Sequence, residues 1–192
     1  MEDRPPRLSS SFLAPLARTT SIAGNPLLLI PITVFATAGN WRWALIVAVT
    51  TTVPLVIIIR RNVRRGTWSD FDVSRREQRL GLYLAGLAVL LLTAIVFYFL
   101  GAGPRMMRAL SAGFLMFAAG VLGHRFLKIS MHMMFTTFCA VLIVWQHPWS
   151  AVAVLPFVAL LAWSRRFLER HSWPEIVTGT LIGTAAGVFA IL

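Results

Sequence analysis

The chain of 192 residues has a single cysteine, Cys139. That excludes an internal disulfide and any metal site built on thiolates. Acidic residues are scarce as well. Seven Asp and Glu stand against eighteen Lys and Arg, a net charge of +11. There is no internal repeat and no low-complexity tract. Long apolar runs are abundant instead: hydrophobic residues make up 57% and the mean hydropathy is +0.74. A single domain of this length cannot hide that much apolar surface within itself, so lipid must cover the rest. The positive charge alone would suit nucleic acid. Its distribution does not, because the basic residues sit in short connections between apolar runs. Membrane topology and an anionic ligand account for them, and nucleic acid is set aside as a partner.

A membrane helix needs about 20 apolar residues, and a polytopic bundle tolerates about 17. Seven runs qualify, roughly 22–39, 41–60, 80–102, 106–123, 129–146, 149–164 and 174–192. The expected fold is all-α, a polytopic transmembrane bundle of six to seven spans. The fifth and sixth runs are short enough to end in a wet cavity. Breakers fall where turns are needed, at Gly39-Asn40, at Gly101 to Pro104 and at His147-Pro148. Residues 1–18 are polar, carry Pro5 and Pro6, and lack the basic-then-apolar order of a cleavable signal peptide. Residues 1–20 are therefore expected as a flexible cytoplasmic tail, and 21–192 as the membrane domain. Fifteen of the eighteen Lys and Arg belong to the tail and to the connections after runs two, four and six; Arg42, Arg105 and Arg108 are the exceptions. Such a bias places that side in the cytoplasm. The expected location is multi-pass, in the plasma membrane of a prokaryote, with the N-terminus inside.

The three basic connections carry unusual chemistry. The first, 68–79, holds Asp70, Asp72, Arg75, Arg76 and Arg79; the second, 123–132, holds His124, Lys128, Ser130 and His132; the third, 164–175, holds Arg165, Arg170, His171 and Glu175. Because they follow even-numbered spans, all three land on one face. Arginine grips phosphate oxygens with a fixed fork of donors. Histidine serves as nucleophile or proton donor near neutral pH. The combination suits phosphoryl chemistry.

Ser164-Arg165, five residues, His171, three residues and Glu175 match the third motif of the type 2 phosphatidic acid phosphatase (PAP2) superfamily. Ile129-Ser130-Met131-His132 keeps the Ser and His of that family's second motif, Pro-Ser-Gly-His, without the Pro or Gly. Thirty-one residues separate the two. The first motif, Lys, six residues, Arg-Pro, is absent: Asp72 stands seven before Arg79, and Leu80 follows it. Residues 60–192 thus resemble a divergent PAP2-type membrane phosphatase. The resemblance implies that His171 attacks phosphorus to form a phosphohistidine and that Glu175 holds its other ring nitrogen. It implies that His132 protonates the leaving oxygen and then activates water. Arg165 and Ser130 would bind the phosphate oxygens, joined by one or more of Arg75, Arg76 and Arg79 in place of the first motif. No metal and no other cofactor is implied.

Plainer readings stand beside these. Ser172 to Glu175 also spell a capping box with an early proline, so Glu175 can cap the last helix as well. His124 reads as a loop histidine with the acid role as its alternative. Arg60, Arg61, Arg64 and Arg65 read as topology anchors on anionic headgroups. Asp70 and Asp72 read as caps of the third span or as partners of nearby arginines. Three functions compete. The first is phosphatase action on an isoprenyl phosphate or diphosphate or a phosphatidyl-type lipid. The second is a degenerate relative that binds a lipid phosphate or a membrane partner without turnover. The third, a Mg²⁺-dependent prenyl transferase, needs a second acidic motif that is not visible.

Overall fold

The computed structural model describes residues 8–192. Among them the regular structure is helical: α1 (Leu8–Ala23), α2 (Pro26–Ala38), α3 (Trp41–Val47), α4 (Val53–Arg64), α5 (Arg79–Phe99), α6 (Pro104–Gly123), α7 (Met131–Gln146), α8 (Ala151–Phe167) and α9 (Trp173–Ile191). Local chemistry sets the boundaries. The side chains of Asn25 and Asn40 accept the backbone N–H two residues on and cap α2 and α3. Gly39 and Gly101 turn the chain at positive φ, where a Cβ would be strained. Proline opens α2 and α6 at positions whose N–H has no helical partner anyway.

Between α3 and α4 the helix widens into a π turn, Ala48–Thr52. Pro54 explains it, since the ring has no N–H to give and collides with the carbonyl four residues back. That carbonyl, of Thr50, instead accepts the Thr93 hydroxyl of α5 at 3.0 Å. The turn thereby docks α5 through a partly buried polar contact.

Five helical segments are long and apolar enough to cross a membrane, or six if α1 and α2 count as one span bent by 55°. The protein is a multi-pass membrane bundle. Leu122 is 78% and Val152 85% exposed. In water each such side chain would forgo roughly 1.5–3 kcal/mol of burial, so hydrocarbon is their natural solvent. Two expectations change. The run 129–146 yields α7, only 16 residues and about 24 Å long. It is short because it is the core helix: every residue from His132 to Ala140 is buried. The expected tail is also revised. Leu8–Ala23 are helical, and α1 lies on α8, where the Ser164 hydroxyl donates to the Ala17 carbonyl at 2.6 Å. Residues 1–7 lie outside the described residues.

Helix α9 packs on α7 through Gly179, Gly183 and Gly187, spaced by four so that all lie on one face. A Cβ on Gly183 would overlap the Met134 carbonyl and the Thr137 hydroxyl. Gly183→Ala is expected to cost about 3 kcal/mol by forcing the helices apart, read as a lower unfolding temperature in detergent. Gly81→Ala, whose Cβ would meet only Trp68 at 3.5 Å, should cost nothing.

Candidate active site at the basic end

The three basic connections meet at one end of the bundle, as span counting requires. Arg76 Nε donates to the His124 carbonyl and Arg79 NH1 to that of Ile129, tying the first connection to the second. Lys128 donates to the Arg170 carbonyl, tying the second to the third. Arg170 NH1 donates to Ser74 Oγ and closes the ring. The opposite end holds the turns at Gly39, Gly101 and His147, whose Nε2 lies 3.0 Å from the Ala36 carbonyl.

His171 follows α8 and precedes α9. It is 4% exposed. Its Nδ1 lies 3.0 Å from Glu175 Oε2. The same oxygen accepts the Ser172 N–H at 3.0 Å, so the capping box of α9 is formed and both expected roles of Glu175 coexist. In the neutral ring Nδ1–H donates to the carboxylate, which leaves the lone pair on Nε2. That Nε2 is buried and has no hydrogen-bond partner. Burial, then the charges of Arg79, Arg165, Lys128 and His132, hold the imidazole far below the ordinary histidine range. The ring is therefore neutral and nucleophilic at physiological pH. A folded-state value below the unfolded one gives stability that is present above about pH 6.5 and lost as the pH falls. The expected observation is a His171 ring resonance that does not move between pH 5 and pH 8.

Arg165, on the last turn of α8, is 2% exposed. Its NH1 donates to Ser21 Oγ at 2.6 Å and to Asp72 Oδ2 at 3.4 Å. Its Nε, also buried, has no partner. Arg79 is buried at the start of α5, and its Nε donates to the Val73 carbonyl. His132 is buried on the first turn of α7 and lines one cavity with Asp72 and Arg79. Arg165 Nε and His171 Nε2 are thus both buried and unpartnered, the first a donor and the second, in this tautomer, a lone pair. Lys128 stands by: burial and then the Arg79 cation hold its ammonium below the usual lysine range.

Of the sequence candidates, His171, His132, Glu175, Arg165 and Arg79 come together. Ser130 is fully buried, and its Oγ accepts the Met133 N–H at 3.5 Å as the cap of α7. That cap fixes the first turn of α7, which carries His132. Arg75 and Arg76 do not join the group; both are exposed, and Arg76 turns to His124. They precede the helix, whereas Arg79 is its first residue and faces inward. Asp70 does not cap the third span. Its carboxylate accepts the N–H groups of Asp72 and Ser74 and the Ser74 hydroxyl. Burial raises the Asp70 pKa, but these bonds and that from Ser69 outweigh it and leave the carboxyl below its ordinary value. Asp72 does pair with an arginine, Arg165. The next residue, Val73, has φ 47°, a strained conformation for a β-branched side chain. It is fully buried among Ile59, Trp68 and Leu82, so packing bears the strain that aims Asp72 at Arg165.

Sequence reasoning missed Ser21, Arg18 and Arg60. Ser21 and the two arginines line a cavity of about 530 Å³ at this end, together with Asp72, Arg165 and Arg170. The signal for Arg60 was present in the basic cluster; for Ser21 there was none. His171 does not line this cavity. Compared with family models, with curated proteins and with solved structures, the chain matches none.

Proposed function

We propose that the chain is a metal-independent membrane phosphatase that removes phosphate, or diphosphate, from a lipid through a phosphohistidine on His171. The observation that carries this reading is the His171 ring itself. It is buried, it is held at Nδ1 by Glu175, and it carries an unpartnered Nε2 beside buried arginines. Nε2 attacks phosphorus while Arg165 and Arg79 hold the equatorial oxygens and spread their charge. His132, protonated when the bound phosphate dianion offsets the arginine charges, gives that proton to the leaving lipid oxygen. It then takes one from water, which attacks the phosphohistidine and returns His171. Arginines supply the positive charge that a metal would supply elsewhere. The basic cavity lined by Arg18, Arg60 and Arg170 adjoins the site through Arg165 and Asp72 and draws the anionic headgroup toward it. This end faces the cytoplasm of a prokaryotic plasma membrane by the positive-inside bias. Substrates are isoprenyl phosphates or diphosphates, or phosphatidyl-type lipids.

A second reading has its own support. Asp72 already occupies NH1 of Arg165, so an anion must displace a carboxylate to enter. A protein that only binds a lipid phosphate or a membrane partner would share this geometry. Phosphate release from a panel of lipid phosphates, with EDTA present, separates the two. Release that persists in EDTA supports the phosphatase. Binding without release supports the second reading.

A further inference from the structure

A narrow cavity of about 140 Å³ begins at Asp72, Arg79 and His132 and runs along α7 to Leu142. From Met131 to Leu142 the helix rises about 16 Å. Below its polar mouth the walls are mostly apolar, formed by residues such as Ile30, Leu55, Leu90, Leu110, Phe117 and Phe138, with the buried, unpartnered Thr33 hydroxyl among them. The Thr51 hydroxyl, which could have wetted the bore, is turned to the Val47 carbonyl. Gly113 keeps one wall low. The π turn of Ala48–Thr52 places Thr51 on another wall, and such turns recur at functional sites. At its inner end the bore shares Val34, Met106, Ala109 and Leu142 with a second cavity of about 520 Å³ at the opposite face. At its mouth it shares Asn25, Leu27, Phe71 and Asp72 with the basic cavity.

We infer that this bore holds the hydrocarbon chain of a single-chain lipid phosphate, with the phosphate at its mouth. The inference rests on the proposed phosphatase site for the headgroup, but the bore has evidence of its own. An apolar cavity of this volume stays dry and takes apolar guests. By volume the bore matches a cavity that takes one benzene-sized guest, so it seats the first carbons of one hydrocarbon chain and has no room for two side by side. An isoprenyl or alkyl phosphate fits. A two-chain phosphatidic acid would have to leave one chain outside. The continuation toward the far face lets a chain longer than the bore pass on without folding back. Met131, which stands where the family pattern has glycine, lines the bore, so the departure from the motif becomes part of the tail site.

Two measurements test this. In the first, kcat/KM is compared for alkyl phosphates of increasing length, for dioleoyl phosphatidic acid and for glycerol 3-phosphate. Single-chain lipids should exceed phosphatidic acid at least ten-fold. Gly113→Leu should lower the preference for long over short chains by a similar factor. Equal use of one-chain and two-chain lipids overturns the inference. In the second, the wild-type protein in detergent is photolysed with a hexadecyl phosphate bearing a mid-chain diazirine. Adducts on Phe117, Phe138 or Cys139 support the bore. Adducts confined to outward residues such as Leu122 and Leu181, or no adduct at all, overturn it. Adducts in the bore without any phosphate release would remove the phosphatase reading and leave the tail site standing.

Discussion

His171→Ala is expected to lower phosphate release by about 1,000-fold or more, the usual cost of removing a nucleophile that acts as one unit with its base and its orienting acid. That factor is about 4 kcal/mol of transition-state stabilisation. The loss should fall on kcat, because Arg165 and Arg79 still hold the phosphate. The fold should survive. Glu175 keeps its bond from the Ser172 N–H, so the cap of α9 does not depend on the ring. Glu175→Gln is the informative companion. The amide can still accept the Ser172 N–H, but it no longer offers His171 a carboxylate. A fall of about 100-fold or more with an unchanged unfolding temperature would separate ring orientation from helix capping. Normal turnover by His171→Ala would end the phosphatase mechanism on this residue.

Arg165 and Asp72 should respond in opposite directions. Arg165→Lys keeps a positive charge but loses the planar fork, and with it the donors that address Ser21, Asp72 and the phosphate together. A drop of about 100-fold in kcat/KM is expected. Asp72→Asn removes the carboxylate that competes for the same guanidinium group. Substrate phosphate then enters without displacing a charge, so KM should fall several-fold with little change in kcat. An increase in KM would mean that Asp72 positions the arginine instead of occupying the anion seat. The strain at Val73 makes the same point from the backbone. An uncommon conformation next to a site carboxylate persists only where the surrounding packing holds it.

Much of the fold was legible because apolar runs and breakers report helices and turns directly. Gly39, Asn40, Gly101 and His147 end or begin helices where they were expected to. The number of spans was less legible, because length alone cannot tell a lipid-facing helix from a core helix. Helix α7 reads as apolar either way, and only the burial of nine consecutive residues reveals its place. The helicity of Leu8–Ala23 was hidden by the polar residues of that stretch, and its seat on α8 rests on a backbone carbonyl, that of Ala17, which accepts the Ser164 hydroxyl. The placement of His132, His171, Arg165 and Glu175 at one end was legible because they lie in or beside connections that topology brings to one face. The choice among Arg75, Arg76 and Arg79 was not. It depends on where α5 starts and hence on which side chain turns inward. Asp72 left a trace, an acid at the position where the family pattern has lysine. Ser21 left none, since its contact with Arg165 spans most of the chain.

The central claim is that His171 becomes covalently phosphorylated. The direct measurement is rapid quenching of the protein with a ³²P-labelled lipid phosphate, followed by peptide mapping under alkaline conditions that preserve phosphohistidine. The account predicts acid-labile label on the peptide containing His171. His132→Ala, which can neither protonate the leaving oxygen nor activate water, should slow both the appearance and the loss of that label. Turnover with no labelled protein at any quench time, or label that persists in His171→Ala, would contradict it.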